Sequence, residues 1–299
     1  MWGLFDIFIF IFGLIIGSFL NCVIYRLEKE KSLSGRSFCP NCQHTLSWQD
    51  LLPVLSFIIL RRKCRYCKQK ISWQYPAVEI ATGILFLLIF NFSAFAPLIN
   101  GASADRQFLI FNFQLNYYNG ITTILPFITT LYLLIIFSLL IIIFVYDLKH
   151  YIIPDKILFP AIILVIFYKL FFWLFSNWNL IESWKLKIEN LGLLANPLAS
   201  AFGACLFFLI IFLVSMGKGM GFGDVKLAFF MGLFLGYPNI LAALLISFWI
   251  GAIIGIILIL LKRKTIKSEV PFGPFLILGT FIALFWGQNI INWYLNYMV

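Results

Sequence analysis

Charge is what this sequence has least of. Charged residues make up 11% of the chain and hydrophobic ones 62%, whereas soluble domains carry about a quarter charged residues. That balance excludes a water-soluble globular protein. Acidic residues are scarcer still, twelve in all, so the place of each one carries information. Lysine and arginine outnumber them and give a formal charge of +10. Yet no basic helix or stripe lies outside the loops that flank apolar runs, which removes nucleic acid from the expected partners. The first apolar run has no basic residue before it and no small-x-small cleavage site. It is also long for the core of a signal peptide, and is read as a retained span.

What the sequence has instead is a series of apolar runs of roughly 17–25 residues, the length that crosses a hydrocarbon core of about 30 Å as a helix. Helices satisfy their own backbone groups, as lipid requires. The chain therefore reads as an all-α polytopic membrane protein with the bilayer as its first partner. About eight transmembrane helices are expected, at Leu4–Tyr25, Pro76–Phe95, Ile121–Tyr146, Ile157–Phe175, Pro197–Met216, Val225–Gly236, Asn239–Leu261 and Phe272–Tyr294. The sixth is short and ends at Gly236-Tyr237-Pro238, which leaves a merged or re-entrant sixth and seventh segment open.

Positive charge marks the cytoplasmic side of a membrane protein. The stretch between the first two spans holds ten basic residues from Arg26 to Lys70, and Lys262, Arg263, Lys264 and Lys267 follow the seventh. Lys149, Lys156, Lys218 and Lys226 fall on the same side, against Arg106, Lys185 and Lys187 on the other. Both termini are then expected outside and the long first loop inside. Three regions result: a first helix at 1–26, a cytoplasmic loop domain at 27–75, and a membrane domain at 76–299.

That loop contains Cys39-Pro-Asn-Cys42 and Cys64-Arg-Tyr-Cys67. Two such knuckles offer four thiolates at a separation close to that of zinc ribbons, and four thiolates close a tetrahedron around Zn²⁺ with no open position. A closed site is structural. The rival, a pair of disulfides, conflicts with a reducing cytoplasm. His44 reads as a solvated loop residue, and Cys22 and Cys205 as small hydrophobes within spans.

Among the few carboxylates, Asp147 ends the third span and Asp224 opens the sixth, after Gly219-Met-Gly221-Phe-Gly223. Ionisable groups at membrane depth point to function, and the glycines let another helix or an extended peptide approach closely. Two neighbouring carboxylates, one ionised and one protonated, activate water against a peptide carbonyl. The same residues, with Asp155, would also suit an ion or proton relay in a transporter, although no acidic residue continues such a relay to mid-span. More plainly, Asp147 could be an interfacial residue beside Lys149, Asp155 a helix start after Pro154, Glu79 a helix-start charge, and Asp50 a loop cap.

Several motifs, in order, resemble the type IV prepilin peptidase family. They are Gly17-Ser18-Phe19-Leu20-Asn21-Cys22-Val23-Ile24-Tyr25-Arg26-Leu27, the tetracysteine segment running to Tyr75-Pro76-Ala77-Val78-Glu79, Asp147 with Ile153-Pro154-Asp155, Gly219-Met-Gly221-Phe-Gly223-Asp224-Val225-Lys226, and Pro271-Phe272-Gly273-Pro274-Phe275. The resemblance implies an inner-membrane aspartyl protease that removes the basic leader of prepilins or pseudopilins at the cytoplasmic face. Asp147 and Asp224 would be catalytic, with Asp155, Gly221, Gly223 and Lys226 in support. It also implies N-methylation of the new N-terminus with S-adenosylmethionine, an activity associated with the loop domain that holds Cys39, Cys42, Cys64 and Cys67. No glycine-rich nucleotide motif in the chain speaks for that cofactor independently.

Overall fold

The computed structural model describes residues 2–99, 124–178, 184–217, 219–262 and 270–298. Segments 100–123, with Arg106, and 179–183, where outer loops are expected, and the basic positions Lys218, Arg263, Lys264 and Lys267 lie outside the described residues. The helices are α1 (Trp2–Glu28), α2 (Leu55–Ile59), α3 (Gln74–Ile99), α4 (Ile124–His150), α5 (Asp155–Trp178), α6 (Trp184–Val214), α7 (Phe222–Leu235), α8 (Asn239–Leu260) and α9 (Gly273–Met298). A single 3-10 turn at Trp48–Leu51 precedes α2. Among the described residues, seven helices contain a stretch long and apolar enough to cross a membrane, and the 14-residue α7, the expected short sixth segment, is not one of them. The expected fifth span agrees with the apolar stretch Leu194–Val214, but the helix that carries it, α6, begins earlier, at Trp184, and runs through Pro197. Proline favours helix starts and so invites a boundary there, but inside a helix it removes a single backbone bond and need not end it.

The chain divides into two compact units, Met1–Ala104 with Tyr117–Ile142 and Asp105–Asn116 with Ile143–Val299. In the first, α1 lies against α3 through small residues. A methyl group built on Gly13 would stand 2.7 Å from Gly83 Cα, and one on Gly17 2.6 Å from Glu79 Cα. Such approach of backbones maximises dispersion contact where lipid supplies no hydrophobic drive between helices. At the end of α1 the Arg26 guanidinium is buried and donates to the carbonyls of Ser32, Ser34, Gly35 and Arg36 at 2.7–3.2 Å. This residue, counted in the sequence as a topological charge, folds the following loop around itself.

In the second unit α7 is the core element. It packs against α5, α6, α8 and α9, and its residues from Val225 to Leu235 are buried apart from Lys226 and Phe229. A helix apolar on all sides needs neighbours on all sides. Gly232 makes the closest approach: a methyl there would meet Ala201 Cα and the Ser200 carbonyl of α6 at 2.5 Å.

Candidate active site and metal centre

Four short segments of the second unit place the acidic residues singled out in the sequence. Asp147 sits in the last turn of α4, where Tyr151 N–H donates to its carbonyl at 2.9 Å. Tyr151 takes a positive φ of 58° and reverses the chain. Ile153 and Pro154 follow, buried, and Asp155 begins α5. Gly221, in extended conformation, caps α7, which places Asp224 in the first turn of that helix, where the helix dipole favours negative charge. The first turn of α9 contributes Gly273.

Ile153 is the hub. A methyl built on Gly223 would stand 3.1 Å from Ile153 Cβ, and one on Gly273 would stand 3.3 Å from Ile153 Cδ1 and 2.5 Å from Asp147 Oδ2. The Gly273 backbone N–H faces the Asp147 carboxyl, while Oδ2 itself is buried with no hydrogen-bond partner. The Gly221 backbone N–H serves the Asp224 carboxyl, which is close enough to Asp147 for the two charges to repel. Both side chains are buried, Asp147 at 3% and Asp224 at 7% exposure.

Lys226, on the same turn as Asp224, donates to both oxygens of Asp155 at 2.8 Å, joining the N-termini of α5 and α7. Its ammonium also lies over the rings of Phe159 and Phe222 at 5.6 and 5.3 Å. Asp155 and Lys226 thus brace the segments that carry the aspartate pair. Gly221 and Gly223 admit it: one donates to Asp224 and the other makes room for Ile153. Gly273, within Pro271-Phe272-Gly273-Pro274-Phe275, has no role legible in the sequence, because no ionisable residue beside it marks what its missing side chain makes room for.

The first unit holds the second constellation. The Sγ atoms of Cys39, Cys42, Cys64 and Cys67 all lie within 4.8 Å of one another, and Cys39 and Cys67 sulfurs are 3.9 Å apart. Tetrahedral zinc thiolate bonds of about 2.3 Å imply sulfur separations of about 3.8 Å, so the four residues fit a metal ion. The two knuckles repeat one design 25 residues apart, as the numbering shows. In each, the first cysteine's carbonyl accepts from the residue four on (Gln43 at 2.9 Å, Lys68 at 3.0 Å), which has positive φ, and its N–H donates to the carbonyl five on (His44 at 3.0 Å, Gln69 at 2.9 Å). A β-bridge closes each turn, Phe38 with Thr45 and Lys63 with Lys70. Backbone N–H of Gln69 and the Asn41 side chain hold the Cys67 thiol down at about 6, and burial pushes Cys64 up.

Between the knuckles, Asp50 takes Arg65 Nε at 2.8 Å on one oxygen and, on the other, the Ser47 hydroxyl at 2.8 Å and its N–H at 3.2 Å. Burial raises its carboxyl, but the Ser47 and Arg65 bonds outweigh it and hold Asp50 below its ordinary value of 3.8. His44 stacks on Tyr66 at 3.7 Å, outside the sulfur cluster. Glu79 is no simple helix-start charge: it is buried, and its Oε2 accepts the Val54 N–H at 2.7 Å.

Helical spans, a buried aspartate pair and a separate four-sulfur centre define a multi-pass membrane protein with a candidate carboxylate active site. Residues 11–92 match the bacterial peptidase A24 N-terminal domain, and residues 134–256, which include Asp147 and Asp224, match the type IV leader peptidase family. The chain is 32% identical to a prepilin leader peptidase/N-methyltransferase of Bacillus subtilis over 96% of its own length and 97% of that protein's. It is 31% identical to one from Legionella pneumophila and 29% to one from Aeromonas salmonicida, each over 96% of this chain and 93% of the relative. No solved structure gives a significant match. The chain belongs to the type IV leader peptidase family.

Proposed function

We propose that this chain is an aspartic endopeptidase of the bacterial inner membrane that cuts the leader from prepilins or pseudopilins and N-methylates the new N-terminus. The observation that carries the cleavage half is the buried pair Asp147 and Asp224, drawn to one place because Gly223, next to Asp224, and Gly273, against Asp147, both pack on Ile153. Two carboxylates that close titrate as a unit. One takes a proton from water and the other gives one to the scissile carbonyl oxygen, as in other aspartic proteases. The Gly221 and Gly273 backbone N–H groups hold the two carboxyls in place. Asp155 and Lys226 fix the helix starts that position them, and Gly223 and Gly273 leave room for Ile153 and the Asp147 carboxyl.

In this reading the active site faces the cytoplasm and both termini lie outside, as the basic loops require. The four cysteines hold Zn²⁺ as a closed structural site, with Asp50 and Arg65 bracing the space between the knuckles. S-adenosylmethionine is the methyl donor that the relatives' description calls for. The first unit does not offer it a ready cradle: among that unit's described residues there is no glycine-rich turn opening a helix, and the buried Glu79 is committed to Val54 N–H. The methylation half therefore rests on the relatives, and the cleavage half on the aspartates. A relay reading of the same aspartates gains nothing from relatives described as peptidases and methyltransferases.

Mass spectrometry of a co-expressed prepilin tests this. Wild type should yield a product shortened by the leader and heavier by one methyl group. Asp147→Asn and Asp224→Asn should each leave the substrate whole, and cleavage that persists in both would discard the pair.

A further inference from the structure

Glu79 ties the loop to a span. The candidate span of α3 starts at Gln74, and Glu79 lies five residues along it, in its second turn. Its bond to the Val54 N–H therefore ties the start of α2 to the beginning of that span. Val54 keeps this position in a backbone conformation, φ 58°, that a β-branched residue rarely adopts. The segment so anchored turns its apolar side chains outward: Leu55, Ile58 and Ile59 are 57, 63 and 70% exposed, and Trp48 on the preceding turn is 72% exposed. Arg61 and Lys63 follow directly, both exposed.

We propose that the 3-10 turn and α2 form an interfacial foot that inserts into the headgroup layer of anionic lipid, seating the cysteine loop on the bilayer surface. Three observations support this occupant. The segment is tied to the first turns of a candidate span, the end of a helix beside which amphipathic segments meet the headgroup layer. Its apolar side chains stand free of the protein. The cations at the end of the segment suit a negative surface and would repel a basic peptide. The inference stands whether or not Asp147 and Asp224 are catalytic, because it involves neither.

The test uses the full chain in nanodiscs of equal parts phosphatidylcholine and phosphatidylglycerol, with the photoreactive substitution Ile59→p-benzoylphenylalanine. Irradiation followed by mass spectrometry should find lipid adducts, enriched in phosphatidylglycerol over its share of the bilayer. Arg61→Gln and Lys63→Gln should each lower the ratio of phosphatidylglycerol to phosphatidylcholine adducts about fivefold, as expected for roughly 1 kcal/mol per cation at an anionic surface. Adding Leu55→Asp and Ile58→Asp to the photoreactive chain should abolish the adducts while metal content and monodispersity are kept. Adducts to a second copy of the chain, or an absence of lipid adducts in the folded photoreactive protein, would overturn the proposal.

Discussion

Single residues set this site by what they omit as much as by what they carry. A methyl at Gly273 would stand 2.5 Å from Asp147 Oδ2, with Ile153 on its other side, so the carboxyl is the group that must move. Gly273→Ala should therefore lower the turnover of prepilin cleavage about a hundredfold, the scale of a misplacement of about 1 Å, with little change in KM and normal thermal stability. Steady-state kinetics on purified protein reads both, and turnover within a few-fold of wild type would show that Asp147 does not need this clearance. At this scale the sequence was legible where chemistry is concentrated in a side chain. Scarce acids placed beside apolar runs marked Asp147 and Asp224, and spacing marked the cysteines. Contacts made by backbone were hidden, because every residue owns the same amide. Nothing in the sequence says that Arg26 takes the carbonyls of Ser32, Ser34, Gly35 and Arg36 or that Glu79 takes the N–H of Val54.

Among the elements, α7 is the one on which the second unit depends, and its contact with α6 has no slack. Gly232→Ala forces a methyl to within 2.5 Å of Ala201 Cα and the Ser200 carbonyl. An overpacked contact costs about 1–3 kcal/mol, so the thermal midpoint in detergent should fall by several degrees. Gly203→Ala, in α6 with nothing within 4 Å of the added carbon, should leave the midpoint unchanged or raise it, since alanine is the better helix former. Equal effects from the two would mean that α6 and α7 meet elsewhere. The existence of these helices was readable because lipid demands long apolar runs. The start of α6 was not, because Pro197 reads locally as a boundary while the helix carries on through it. The brevity of α7 was visible in the Gly236-Tyr237-Pro238 stop, but its central burial depends on four neighbours, of which α6 and α8 adjoin it in the chain and α5 and α9 do not.

The whole molecule keeps its two constellations apart in the chain, the sulfurs in the first compact unit and the aspartates in the second. Stripping metal with a chelator should therefore open the Cys39–Cys67 loop to trypsin, which its many basic residues invite, while α5 to α9 stay resistant. Digestion followed by peptide mapping, with metal content measured on the same sample, checks this, and a loop equally resistant with and without metal would remove the structural role of the site. Charge asymmetry suggests an orientation because it is a statistical property of whole loops. The repetition of one knuckle design 25 residues on was much less so, because the two copies share hydrogen bonds more than residue types. That repetition also decides how the centre is reached. Each knuckle turns its first sulfur inward, Cys39 and Cys64 being buried, and leaves its second toward solvent, with Cys42 exposed and Cys67 partly so. A metal seated there would have one open edge, at Cys42 and Cys67. Oxidants and competing thiols in the surrounding solution would meet that edge first.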